Sequence, residues 1–385
     1  MDAADIPQDA AEDVLAVLDD KYYDLELAKM GEESEFSSDS YYVERGASNR
    51  AWQEEWSAFE LSLKKEARFF SRIAASHLAS VFGGIDKLMT RDDQPLMVDV
   101  GPLLKLDHLY RARVFQSDDK LKEALCRPDV HLGSPPASLA SAGRMNARGI
   151  SVFYGSTEAT VAITEVRPPV GSKVAVAKFN IIRPLRLLDL TALEKVQDGG
   201  SIFDPSLKGR LERVAFLQSL GQRITKPVMP DDEVFDYLAT QAIADFLATE
   251  NDPLLDGIIF RSAQVKDGRN VVLFQKAARG ATMELPEGTE IDARSGYVTE
   301  DGWEVDYSVT ECVPPPKSSP AKQDDGWPYF LPSPGPAISW EDDYRESALQ
   351  IDPKSVVVHQ IDWVEYKTTT YDVDRHRFER HDGKF

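Results

Sequence analysis

The chain has 385 residues, 42% of them apolar and 28% charged, which suffices for one sizeable core or two to three smaller ones and marks a folded, globular protein. Its 44 Lys+Arg against 65 Asp+Glu leave a formal charge of −21, a field that repels nucleic acid and anionic membranes, so any anionic ligand must be held by a local basic pocket. Cys126 and Cys312 make neither a disulfide framework nor a zinc site and fit a reducing cytoplasm, while the acidic start "MDAADIPQDAAEDVL" is unlike a signal peptide and no apolar run reaches the roughly 18 residues of a spanning helix.

Residues 1–48 are dense in Asp, Glu and Ser ("DDKYYDLELAKMGEESEFSSDSYY") and aperiodic, which predicts a flexible acidic tail with room for one short helix. Over 49–95, Trp56, Phe59, Leu63, Phe70, Ile73, Leu78, Val81 and Ile85 recur at three- and four-residue steps, an amphipathic helix or helix pair that Gly83-Gly84 interrupts or ends. Within it "RIAASH" gives Arg72 and His77 the spacing of the ribonuclease motif of HEPN domains. Five helical positions put the two side chains about 140° apart, so they read as a solvent-facing arginine and a half-buried histidine.

"LDHLYRARVF" (106–115) alternates like a strand, with Arg111 and Arg113 on one face. A long Gly/Pro/Ser-rich loop follows, then a strand over Ile150–Tyr154. Ser156 or Thr157 is the expected N-cap of a helix that ends before Pro168-Pro169, with Glu158 in its first turn. "SKVAVAKFNIIRPLRLLDL" supplies one or two strands, and "PDDEVFDYLATQAIADFLATE" is the clearest helix of the chain. "DGIIFRSAQVKDGRNVVLFQ" reads as a hairpin joined through Asp267-Gly268. From 281 the composition turns to Pro, Asp, Glu and Trp, with a Pro-rich linker over 312–336 and edge-like strands after it. Strands and helices mix without regular βαβ units, so the fold class is α+β.

The segment "AGRMNARGISVFYGSTEATVAITEV" (142–166) carries Arg144, Tyr154 and Glu165. Tyr154 closes a strand and Glu165 lies 11 residues on, so both reach one cleft only if the intervening helix packs beside the strand end. Two arginines, Arg111 and Arg144, suit a diphosphate, because the guanidinium fork bonds phosphate oxygens bidentately. A glutamate beside them can stabilise an oxocarbenium ion as a glycosidic bond breaks, and a tyrosine ring can stack on the leaving base. On spacing alone the plainer reading of the same residues is a surface arginine, a core tyrosine and a solvated glutamate. There is no P-loop, no G-x-G-x-x-G after a strand, no HExxH or paired-histidine spacing and no G-x-S-x-G elbow, and Asp231-Asp232-Glu233 reads as a helix start rather than a metal site.

In order, "LYRAR", the 142–166 segment, "YLATQAIADFLA" and "DGIIFRSAQVKDGRNVVLF" resemble the RES domain over about residues 104–280. The resemblance implies a fold like that of ADP-ribosyltransferases and an activity of NAD-consuming bacterial toxins, which cleave the nicotinamide–ribose bond, some passing ADP-ribose to inorganic phosphate, and which an Xre-type antitoxin silences. Carried over by motif, Arg111 and Arg144 belong on the phosphates, Tyr154 near the nicotinamide ribose, Glu165 at the reacting centre and Ser262 in the pocket. Met145 replaces the commoner aromatic of the arginine turn, which resembles a longer-chain branch with HEPN-related N-terminal helices; residues 281–385 form a C-terminal extension. NAD is thus the implied substrate, with phosphate or water as acceptor, no metal, and neither nucleic acid nor membrane as partner. Two alternatives stay open: transfer of ADP-ribose to a protein, disfavoured for arginine targets because Ile163 stands where a second glutamate is usual, and a silent NAD-sensing module.

Overall fold

The computed structural model describes residues 7–31, 36–37, 47–201, 204–226, 228–300, 302–315 and 343–377. Among these residues four helices precede the sheet: α1 (Gln8–Tyr22), α2 (Leu25–Lys29), α3 (Arg50–Lys65) and α4 (Arg72–Phe82). Next come β1 (Met89–Thr90), β2 (Met97–Val100), β3 (His108–Phe115), α5 (Asp118–Cys126), α6 (Pro128–His131), β4 (Phe153–Ser156), α7 (Ala159–Glu165), β5 (Lys173–Ile181), β6 (Leu185–Asp189) and β7 (Val196–Gln197). Helices α8 (Leu207–Thr225) and α9 (Glu233–Thr249) lead into the hairpin β8 (Gly257–Arg261) and β9 (Arg269–Leu273). The chain continues through β10 (Glu290–Arg294), β11 (Tyr297–Thr299), β12 (Gly302–Glu304) and β13 (Ser308–Cys312) to β14 (Leu349–Gln360).

Eight strands form one mixed sheet in the order β14-β5-β3-β4-β9-β8-β6-β2, parallel only between β6 and β8. With helices gathered against it and no βαβ repeat, the fold is α+β. Side chains alternate across the pleat. Leu109, Phe153, Phe179, Val271 and Ile259 fill one face with Leu121 and Leu125 of α5. Leu188, Ile258 and Val272 fill the other, where α3, α4, α8 and α9 deliver Trp56, Phe59, Phe82, Phe216, Leu220, Ile243 and Leu247. Helices α3 and α4, upstream of the sheet, therefore share a core with it. Helix α3 grips α8 by polar contacts as well: Asn49 Nδ2 donates to the Ala215 carbonyl at 3.2 Å, and Gln53 Nε2 to Ser219 Oγ at 3.3 Å. The short α7 covers β3 and β5 through Ala162, packed on Ala112, Val174 and Val176.

Several local expectations change. Residues 8–22, read as part of a flexible tail, form the 15-residue α1, with Asp9 in its first turn and Lys21 in its last complementing the helix dipole; it buries no residue. Arg72 and His77 do not converge: Arg72 is exposed and His77 is buried, its ring 5.5 to 6.4 Å from those of Trp52, Trp56, Phe59 and Phe216. Burial pushes the His77 pKa below its ordinary value despite Glu55 nearby. The long loop before β4 contains α6 and a 3₁₀ turn over Ala137–Leu139. Helix α7 begins at Ala159, so Glu158 takes the cap position without a side-chain cap bond, while Ser156 and Thr157 fall ahead of it and the Ser156 hydroxyl donates to Asn270. Strand β14 adds antiparallel to the edge of the sheet at β5. From residue 316 on, the Pro-rich linker lies outside the described residues. No helix among the described residues is long and apolar enough to cross a membrane.

One polar contact ties α6 to the chain beyond the sheet. The Asp129 carboxylate, its side chain 3% exposed, accepts from Arg127 Nε at 2.9 Å, Arg127 Nη2 at 2.7 Å and the Met283 N–H at 2.9 Å. Burial alone would raise its pKa, but Arg127 and the Met283 N–H outweigh this and hold it below the usual carboxylate value. A depressed folded pKa stabilises the fold above the unfolded pKa, roughly 3.9, and that contribution disappears as the pH falls through the folded value. Asp129→Ala should therefore cost about 2 kcal/mol at pH 7, from the orphaned N–H and guanidinium. In urea melts at stepped pH, the gap between wild type and variant should narrow below about pH 4; a gap independent of pH would refute this account of the carboxylate.

Candidate active site

Antiparallel neighbours β3 and β4 pair at a single position, Tyr110 opposite Ser156, and the register breaks off there. A break inside a sheet leaves carbonyls to satisfy. Arg111 meets that need: its Nη1 donates to the Tyr154 carbonyl at 3.2 Å, and its guanidinium lies 5.0 Å from the centroid of the Phe153 ring. Burial lowers the Arg111 pKa to about 10, and the other groups acting on it are Arg113 and Tyr154, neither a carboxylate. It stays charged at neutral pH with no counter-ion among the described residues, the condition under which a guanidinium can hold an anionic ligand.

Arg111 lines a cavity of about 230 Å³ together with Tyr110, Tyr154, Ser156, Glu165, Phe260 and Asn270. Tyr154 and Glu165, separated by α7, thus reach one cleft, because α7 folds back over β3 through Ala162. Glu165 is the last residue of α7. Its Oε1 accepts from Ser262 Oγ at 2.5 Å, and Ser262 Oγ in turn accepts from the N–H groups of Gln264 and Val265, both at 3.0 Å. The serine at the start of the β8–β9 connection is therefore a relay between two backbone donors and the carboxylate, and the charge-assisted bond fixes the carboxylate's direction. Ser262 also lines a larger cavity, about 680 Å³, with Thr225, Lys226, Arg223 and Arg261.

Tyr154 does two things at once. Its ring lines the small cavity while its hydroxyl donates to Asn146 Oδ1 at 2.9 Å and accepts from the Met145 N–H at 3.0 Å. Burial pushes the phenol up to about 12, so it is neutral at physiological pH and no general base. Both Arg144 and Arg111 are near enough to favour its ionised form, though burial outweighs them.

The turn carrying Arg144 is locked from several directions. Asn146 Nδ2 donates to the carbonyls of Ser141, Ala147 and Ile150; Gln241 Nε2, from α9, donates to those of Gly143 and Asn146; Thr240 Oγ1 donates to that of Arg144. Gly143 is required by close approach, since a Cβ there would fall 2.7 Å from both Tyr154 Oη and Asn146 Oδ1. Arg144 itself does not line the cavity of Arg111. Its Nη1 donates to the Ile224 carbonyl at 2.8 Å, at the C-terminal end of α8, and its guanidinium lies over the Tyr237 ring at 5.1 Å. Arg113, on the same strand face as Arg111 by sequence, is exposed and donates to the His131 carbonyl.

Sequence reasoning missed Asn146, Gln241 and Thr240, which build the turn, and Ser156, Asn270, Tyr110 and Phe260, which line the cavity. "MN" after Arg144 and "ATQ" within α9 were visible only as polar residues beside apolar ones. Among the described residues no group of three or more His, Cys, Asp or Glu is arranged to hold a metal ion.

No curated protein and no solved structure matches the chain. Residues 108–294 match the family model of the RES domain, an interval that begins at β3, ends at β10 and contains Arg111, Arg144, Tyr154, Glu165 and Ser262. Residues 108–294 thus carry a RES domain, a domain associated with enzymes that act on NAD.

Proposed function

We propose that the chain cleaves the nicotinamide–ribose bond of NAD, with inorganic phosphate or water taking the ADP-ribose. The observation that carries this reading is the joint presence, in one cavity, of a charged arginine with no counter-ion among the described residues and a carboxylate aimed by a serine hydroxyl. Arg111 takes the diphosphate, and Arg144 joins it through the four guanidinium donors that its bond to Ile224 leaves free, enough for a bidentate contact. The rest of the dinucleotide extends over the larger cavity beside Ser262.

In the reaction the bond from ribose C1″ to the pyridinium nitrogen breaks. Its electron pair goes to the nitrogen, nicotinamide leaves neutral, and positive charge develops at C1″. The Glu165 carboxylate stabilises that charge. A phosphate oxygen then bonds to C1″, or water does so with loss of a proton. Ser262 acts through Glu165 as a positioning residue. A protein that drains NAD needs restraint, supplied by a partner such as an Xre-type antitoxin or by its own extensions, and its use would be that of a bacterial toxin or stress effector.

Glu165→Gln keeps the shape and the contact to Ser262 but loses the charge, so kcat should fall about 1,000-fold while the NAD dissociation constant stays within about threefold; nicotinamide release followed by chromatography, beside calorimetric titration, measures both, and near-native turnover would refute the mechanism. Ser262→Ala should lower kcat about 10- to 100-fold through misdirection of Glu165, with KM unchanged and most of the loss recovered by Ser262→Thr. Arg111→Lys preserves charge but not the fork, and should raise KM for NAD about tenfold or more with a smaller effect on kcat.

A further inference from the structure

Across the middle of the sheet, four side chains stand in one transverse row. Tyr110 of β3 is opposite Ser156 of β4, Ser156 is opposite Asn270 of β9, and Asn270 is opposite Phe260 of β8. Residues directly opposite one another project to the same face, and all four line the small cavity. The polar pair in the centre is deeply buried, Ser156 at 2% exposure and Asn270 at 5%. Ser156 Oγ donates to Asn270 Oδ1 at 2.7 Å. The Asn270 amide nitrogen has no hydrogen-bond partner among the described residues and is not sealed off, so it opens into the cavity. A buried amide donor without a partner is costly, and a ligand acceptor removes that cost.

We propose that this row is the seat of a flat aromatic ring bearing a carboxamide, with Asn270 Nδ2 donating to the carboxamide oxygen and the Tyr110 and Phe260 rings bordering its faces. The inference rests on the reading of the site as one that splits NAD and assigns the nicotinamide end of the substrate to particular residues. Three features select such a ligand. The cavity is smaller than the roughly 300–1,000 Å³ of sites that enclose a drug-sized molecule, so it admits one end of a dinucleotide. Aromatic side chains on both sides of a polar centre suit a planar ring with one hydrogen-bonding substituent. Ser156 holds the amide in the sense that presents a donor, which selects a carbonyl acceptor. Glu165, lining the same cavity, then faces the sugar attached to that ring.

The test uses the full chain and separates the two readings. Ligand-observed NMR titrations of nicotinamide, 3-acetylpyridine and 3-methylpyridine measure binding without turnover, while NAD cleavage is assayed on the same preparation. Nicotinamide and 3-acetylpyridine, which keep the acceptor, should bind alike, and 3-methylpyridine, which lacks it, about tenfold more weakly. Asn270→Ala should weaken nicotinamide to the level of 3-methylpyridine and leave ADP-ribose binding unchanged. Equal binding of the three pyridines to wild type overturns the proposal even where NAD is cleaved, and needs no variant to fold. Graded binding without cleavage upholds the seat and sinks the enzymatic reading alone. A folded Asn270→Ala protein, checked by its thermal melt, that binds nicotinamide like wild type also overturns it.

Discussion

Everything in the site depends on a break in backbone pairing at the centre of the sheet. Strands β3 and β4 are neighbours, yet they pair only at Tyr110 and Ser156. The carbonyl of Tyr154, which a continued ladder would have satisfied, is met by the Arg111 guanidinium. A carboxylate could not serve there, since it only accepts hydrogen bonds, and a neutral donor would leave no charge behind. Satisfying a sheet carbonyl with arginine costs a single N–H of five and keeps the full positive charge in the opening. Had an acid been placed beside it, the pair would have neutralised itself and an anionic ligand would find nothing to bind.

Around that break the remaining parts are held by residues that do not themselves line the small cavity. A carboxylate at the C-terminal end of a helix faces the negative pole of the helix, an unfavourable place that the Ser262 hydroxyl offsets. Ser262 is itself fixed by two backbone N–H groups of its own turn, so the orientation of Glu165 is inherited from the β8–β9 connection. The Arg144 turn is inherited from α9, through Thr240 and Gln241, and from the end of α8, through Ile224. Helix α8 in turn is clasped by α3 through Asn49, Gln53 and the stacking of Trp52 on Phe216 at 5.6 Å. The helices ahead of the sheet thus reach the site through two relays of packing.

How much of this could be read in the sequence depends on whether the information is local. The α9 periodicity, the apolar runs of β8 and β9 and the strand of "LYRARVF" are local, and these elements form where the pattern puts them. The spacing from Tyr154 to Glu165 permitted convergence without requiring it, because the packing of α7 on Ala112 and Val174 is a long-range fact. Ser156 looked like a helix cap, and its hydroxyl is taken by Asn270, 114 positions away. Asn270 itself reads as an outward polar residue of a hairpin strand; only the register across four strands shows it facing a cavity. Arg144 was paired with Arg111 by chemistry alone, and the structure sets it apart on Ile224 and Tyr237. The acidic composition of 1–48 leaves room for one short helix without placing it; α1 forms there because its alanines favour a helix even with its apolar side chains left in water.

Charge explains the division of labour on the proposed reading. The chain carries −21 overall, but beyond about 8 Å physiological salt screens that field, so the diphosphate responds to Arg111 and its surroundings rather than to the total. The nicotinamide end of NAD is cationic before the bond breaks and neutral afterwards. A floor of tyrosine, serine, asparagine and phenylalanine carries no formal charge and so does little to resist the loss of charge from the ring. Glu165 is the one acid among the residues lining that cavity. As positive charge moves from the ring to the ribose carbon, the group that gains most is the one nearest the sugar, and binding that strengthens only along the reaction is what lowers a barrier. A second acid under the ring would instead hold the ground state.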